Sequence, residues 1–220
     1  MTVQEYLVHA LSCVSSPASI RSPRRYGKSR PPARDFPLDF YQRDANDAAA
    51  LMAALGHEQY AVMGWSDGAI SAVMLTAQHA TNVDRLVIFG GNSYFTKDDI
   101  NAFEATRDVE GSWSKRMKET HYPVYGAEGL QTMWSSAIDA WGGIFEAGGG
   151  DICMEQARSI RCPTMILHGA KDPICLSEHP EWFKENIPGA TLHVLPDGKH
   201  NIHIRFADEV NALVRNFAKA

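Results

Sequence analysis

Apolar residues in this chain gather in short unbroken runs and do not alternate with polar ones. Tyr60-Ala61-Val62-Met63, Arg85-Leu86-Val87-Ile88-Phe89 and Thr164-Met165-Ile166-Leu167-His168 have strand length and close at Gly64, Gly90 and Gly169; Thr191-Leu192-His193-Val194-Leu195 is a fourth. A strand covered on both faces is apolar at nearly every position, so these runs predict a mostly parallel sheet. The segments between them read as helices. Ala45 to Leu55, rich in Ala, Leu and Met, meets the stop signal Gly56, while Gly68 to His79 has no interior breaker and a last helix is predicted from Phe206 to Phe217. Strands alternating with helices define an α/β class with helices on both faces of the sheet.

One stretch is too long for an ordinary crossover. From about Phe95 to Ser159 the chain carries helical patches, Trp113, Trp134, Trp141 and the loop Gly148-Gly149-Gly150, and it predicts a helical cap inserted over the carboxyl edge of the sheet. The expected organisation is an atypical N-terminal segment, 1–25, followed by one α/β domain, 26–220, with the cap at about 95–159. Neither Thr2 to Val14 nor Ser15 to Arg25 reads as a set of strands.

A length of 220 residues suits one domain with an insertion, and 45% apolar with 21% charged residues is an ordinary globular balance. The net charge of −5 gives no general attraction for nucleic acid. Arg21, Arg24, Arg25, Lys28 and Arg30 form one basic run, read as a solvated surface segment. No apolar run approaches the roughly 18 residues of a membrane-spanning helix, so no membrane association is expected. Cys13, Cys153, Cys162 and Cys175 include no Cys-x-x-Cys pair, and reduced thiols in an intracellular protein are expected. Met1 to Ile20 lacks the form of a secretory signal; arginines and serines just after it leave a mitochondrial presequence open, against which stand Glu5, Pro17 and Pro23.

The candidate chemistry begins at Gly64-Trp65-Ser66-Asp67-Gly68, a G-x-S-x-G pattern lying between a predicted strand and a predicted helix. That context is what a nucleophile elbow requires: serine sits on a strained turn whose neighbours must be small. Serine needs a histidine base, and the histidine a carboxylate. Asp172 in His168-Gly169-Ala170-Lys171-Asp172-Pro173 and His200 in Asp197-Gly198-Lys199-His200-Asn201 follow the third and fourth strands. The order Ser, Asp, His is that of the α/β-hydrolases, and all three fall at the carboxyl ends of parallel strands, where such sites gather. The predicted triad is Ser66 as nucleophile, His200 as base and Asp172 as its orienting acid. The backbone N–H of Asp67 is a predicted oxyanion donor.

Other residues compete for these roles. Asp172 before Pro173 could merely start a turn. Asp151 follows a glycine loop, and Asp197 shares the short loop of His200; neither displaces Asp172. His193, His200 and His203 cluster in sequence, but no second ligand group accompanies them and no metal is expected. His9, His57, His79, His121, His168 and His179 are read as packing or surface residues.

Tyr26-Gly27-Lys28-Ser29-Arg30-Pro31-Pro32, the elbow, His168 to Pro173 and Gly198-Lys199-His200-Asn201-Ile202-His203-Ile204-Arg205-Phe206-Ala207-Asp208-Glu209 together resemble the valacyclovirase, or biphenyl hydrolase-like, family of α/β-hydrolases. The similarity runs from about Tyr26 to the C-terminus. It implies an α/β-hydrolase fold, hydrolysis of α-amino acid esters through a Ser-Asp-His triad, no cofactor, a small-molecule ester as partner and a mitochondrial location, with the cytoplasm as alternative. It also implies that the Asp67 carboxylate binds the substrate's α-ammonium group; the competing reading of Asp67 is a cap on the helix that starts there.

The resemblance fails before Tyr26. Family members carry several strands there and a His-Gly or Pro-Gly loop that supplies a second oxyanion N–H, and where they show Asp-Pro-Arg-Gly this chain has Ser22-Pro23-Arg24-Arg25. N-terminal strands are therefore expected to be missing. A truncated, weakly active or inactive homologue, or a related hydrolase of carbon-carbon or thioester bonds, is the alternative reading.

Overall fold

In a computed structural model, which describes residues 8–11, 19–21, 25–27 and 29–219, the four apolar runs form β3 (Tyr60–Trp65), β4 (Val83–Phe89), β5 (Thr164–Gly169) and β6 (Thr191–Leu195). They lie side by side and parallel in that order. Along β4 and β5 successive side chains enter opposite layers, as the two-residue period of a strand dictates. Leu86, Ile88 and Ile166 join a core with α1 (Phe40–Ala54), α2 (Asp67–Gln78), α7 (Met154–Ser159) and α8 (Glu178–Asn186), whereas Val87, Phe89, Met165 and Leu167 pack with α9 (Ile202–Arg205) and α10 (Ala207–Lys219). Both layers need apolar partners, which is why these strands are apolar throughout. The exception is β6. It lies at the end of the sheet, and its Val194 is exposed where the run had suggested burial.

The N-terminal segment departs from expectation. Two short strands, β1 (Val8–Leu11) and β2 (Ser19–Arg21), pair antiparallel with each other, and β1 pairs antiparallel with β3, giving the sheet order β2-β1-β3-β4-β5-β6. The sequence predicted no strand there, because three or four residues are too few to show a period. The open edge of β3 supplies the reason for pairing: its unpaired N–H and C=O groups take up a neighbouring strand. Cys13, Arg24 and Lys28 lie outside the described residues, while Cys153, Cys162 and Cys175 are free thiols. The basic run is partly paired, Arg25 with Asp35 at 2.9 Å. No helix among the described residues is long and apolar enough to cross a membrane.

After β4 the chain leaves the sheet and returns through a narrow stalk. Tyr94 and Asp151 form a bridge, the Phe95 N–H donates to the Gly150 carbonyl at 2.8 Å and the Ile152 N–H donates to the Ser93 carbonyl at 3.0 Å. Between them lie α3 (Lys97–Glu104), α4 (Val109–Ser112), α5 (Lys115–Tyr125) and α6 (Ala127–Gly148). Helix α3 starts on a capping box, with the Thr96 hydroxyl accepting the Asp99 N–H and the Asp99 carboxylate accepting the Thr96 N–H. Helix α7 follows the stalk and packs beneath the sheet with the core helices.

Candidate active site

Ser66 stands between β3 and α2 with φ 56° and ψ −130°, a backbone conformation that costs a non-glycine residue about 1–3 kcal/mol. The turn closes because Gly64 has no side chain: a Cβ there would come within 2.2 Å of the Gly68 carbonyl oxygen. The Ser66 N–H donates to the Phe89 carbonyl at 3.0 Å, tying the elbow to the end of β4.

The three residues predicted as a triad are in hydrogen-bond contact. His200 Nε2 lies 3.1 Å from Ser66 Oγ, and His200 Nδ1 lies 2.8 Å from Asp172 Oδ2. Burial works to raise the Asp172 pKa, but contact with His200 and the N–H groups of Ile174 and Cys175, which donate to Oδ1 at 2.8 and 3.0 Å, outweigh it and hold the carboxyl below its usual range. An ionised carboxylate only accepts hydrogen bonds, so Nδ1 of His200 carries a proton and the lone pair of Nε2 faces the serine hydroxyl. That is the arrangement in which serine can lose its proton as it attacks.

Two neighbours that the sequence did not single out fix the imidazole. Trp65 Nε1 donates to the His200 carbonyl at 3.0 Å, and its ring lies against those of His200 and His203 with centroids 5.1 and 4.7 Å away. Gly90 lies against the rings of both His200 and Trp65; a Cβ on it would stand 3.1 Å from His200 Cε1 and 3.4 Å from Trp65 Nε1. His203 is a packing residue whose pKa burial, aided by the charge of His200, lowers to about 4. His168 and His179 are buried behind the acid loop, and His193 on the edge strand is exposed. Asp197 is exposed and pairs with Lys171, while the Asp151 carboxylate accepts the Met154 N–H; neither reaches His200.

The Asp67 carboxylate stands in the first turn of α2, whose N-cap is Ser66. Its Oδ1 accepts the Tyr41 hydroxyl at 2.9 Å, and the same hydroxyl accepts Trp141 Nε1–H at 3.0 Å, so a residue of the cap, one of α1 and one of the elbow form a single chain. Burial, reinforced by the Asp67 charge, raises the Tyr41 pKa and keeps it a phenol able to donate. Sequence offered no sign of this link, since Tyr41 and Trp141 belong to no motif. Above Ser66 and Asp67 lies a cavity of about 300 Å³, walled by the elbow, the acid loop, His200 and aromatic residues of the cap. With its apolar walls and few polar groups it has the character of a small-molecule site.

A profile of the alpha/beta hydrolase family matches residues 8–213. Serine hydrolase BPHL of Mus musculus and that of Homo sapiens are each 40% identical over 195 residues, covering 89% of this chain and 67% of theirs. Among solved structures, an esterase from Exiguobacterium antarcticum superposes with a TM-score of 0.67 at 22% identity, covering 92% of this chain and 81% of that one. The enol-lactonase from Burkholderia xenovorans LB400 gives 0.66 at 20% identity, with 90% and 79% covered. The parallel sheet, the inserted cap, the serine on its strained turn and the sequence matches agree that this chain belongs to the alpha/beta hydrolase family, as a hydrolase related to the serine hydrolase BPHL.

Proposed function

We propose that the chain is a serine esterase that cleaves α-amino acid esters without a cofactor. The observation that supports this best is the contact series Ser66, His200, Asp172, at 3.1 and 2.8 Å, opening into the same cavity as the Asp67 carboxylate. In the reaction Ser66 Oγ attacks the ester carbonyl carbon while its proton passes to His200 Nε2, and Asp172 stabilises the imidazolium. The backbone N–H of Asp67, which follows the nucleophile, faces the developing oxyanion. The imidazolium then returns the proton to the departing alkoxide, and water, activated by the same histidine, hydrolyses the acyl-serine.

Asp67 supplies the substrate preference in this reading. A carboxylate beside the reacting carbonyl attracts an ammonium group and repels an anion, and Tyr41 orients it. The test compares valine methyl ester with its 2-hydroxy analogue, which replaces the ammonium by a hydroxyl of similar size. Wild type should favour the amine, and Asp67→Asn should reduce that preference by about one to three orders of magnitude. Equal losses on both esters would remove Asp67 from substrate binding. Continued turnover and fluorophosphonate labelling in Ser66→Ala would remove the serine mechanism altogether.

A further inference from the structure

The cavity over Ser66 contains a second carboxylate, Asp99, contributed by α3 of the cap. Asp99 is 6% exposed. Its Oδ2 accepts the Thr96 N–H and the Thr96 hydroxyl, each at 2.8 Å, and lies 3.5 Å from His179 Nε2. The other oxygen, Oδ1, takes part in none of these contacts, so capping α3 engages one oxygen of a residue that also borders the cavity. Among the described residues no lysine or arginine lines this cavity, whereas Trp65, Phe95, Phe103, Trp113, Trp134 and Trp141 do. A carboxylate among aromatic rings is an environment for a cation, attracted both by the charge and by the ring faces.

We propose that Asp99 forms a second cation subsite, so that the favoured substrates carry a positive group remote from the scissile ester in addition to the α-ammonium held by Asp67. This rests on the amino acid ester reading only for the first of the two anchors. Burial opposes ionisation of Asp99, but His179 and the Thr96 donors hold its carboxyl below the usual range, so it is negative at neutral pH. The remote cation can belong to the acyl side chain, as in lysine, or to the alcohol, as in choline.

Two matched pairs separate these sources. Lysine methyl ester is compared with 2-aminoheptanoic acid methyl ester, and valine choline ester with valine 3,3-dimethylbutyl ester; within each pair shape is kept and the remote charge removed. In wild type one pair or both should favour the cation by about tenfold in kcat/KM, and Asp99→Asn, which can still accept the Thr96 N–H, should abolish that ratio. The preference for valine methyl ester over its 2-hydroxy analogue should survive in Asp99→Asn. A second measurement does not depend on the variant: pentane-1,5-diamine should inhibit wild type about tenfold more tightly than pentylamine. The proposal is overturned if neither cationic ester outperforms its neutral partner, if Asp99→Asn leaves the ratio unchanged, or if the two amines inhibit equally. A remote-cation preference without any preference for the α-amine would instead overturn the role of Asp67 and leave that of Asp99.

Discussion

The indole of Trp65 and the catalytic candidate His200 are joined twice, by a hydrogen bond of 3.0 Å from Nε1 to the histidine carbonyl and by rings whose centroids are 5.1 Å apart. One contact fixes the backbone of the loop and the other fixes the plane of the imidazole. Trp65 touches no reacting atom in this arrangement and is a positioning residue. Trp65→Phe keeps the ring and deletes the donor, so kcat should fall about tenfold, the scale of one buried hydrogen bond, with KM little changed. Loss confined to KM would show that Trp65 acts on the substrate.

Ser66 holds a positive φ that glycine adopts freely. Relief of that strain outweighs the greater unfolded-state entropy of glycine. Ser66→Gly should therefore be more stable than Ser66→Ala by about 1 kcal/mol, or about 3 °C in melting temperature for a chain of this size. Both should be inactive. Equal melting temperatures would show that the elbow stores no strain.

Asp172 should matter to catalysis and to acid stability in distinct ways. Asp172→Asn presents an amide N–H to Nδ1, favours the wrong tautomer and should lower kcat by about four orders of magnitude. The native carboxyl has a pKa held below the ordinary 3.8, so its contribution to stability is complete above that value and is lost as pH falls through the lowered one. Denaturant titrations should thus show the wild type losing stability relative to Asp172→Asn as pH is taken below 3.8. A pH-independent difference would contradict the depressed pKa.

Arg34 and Asp44 form a buried bidentate pair with both contacts at 2.8 Å, and the guanidinium lies over the ring of Tyr26. Asp44→Ala leaves a buried cation without its carboxylate and should cost about 3–5 kcal/mol. Arg34→Met combined with Asp44→Leu should cost far less, measured by urea unfolding. Additive losses would show that the two residues act independently.

The interior of the sheet and the candidate triad were legible because each rested on a local pattern. Val87 and Ile88 point into different layers, so β4 is apolar throughout; Ser66 announces itself by the small residues its turn requires; Asp172 and His200 follow strands. What remained hidden depends on residues distant in sequence. Tyr41 reaches Asp67, Trp65 reaches His200 and the pairing of β1 with β3 depends on an open edge, none of which leaves a period or a spacing. The Thr96 to Asp99 capping box is a local feature of the helix start, but nothing local says that its carboxylate borders the cavity.

Phe89 on β4 and Leu167 on β5 are neighbours in the sheet, yet everything from Gly90 to Pro163 separates their strands along the chain. A ribosome adding about 5–20 residues per second releases β4 roughly 4–15 seconds before β5. During that interval the nascent elbow exists without its histidine, and one edge of β4 is open to any strand that reaches it. The cap is what emerges in the meantime. Its helices carry their own local starts at Thr96 and Ser114, so they can condense before the sheet is complete and draw the ends of the long connection together. The insertion that walls the cavity thus lengthens the wait for β5, and by folding on its own starts it lowers the entropy that β4 and β5 must give up to meet once both are made.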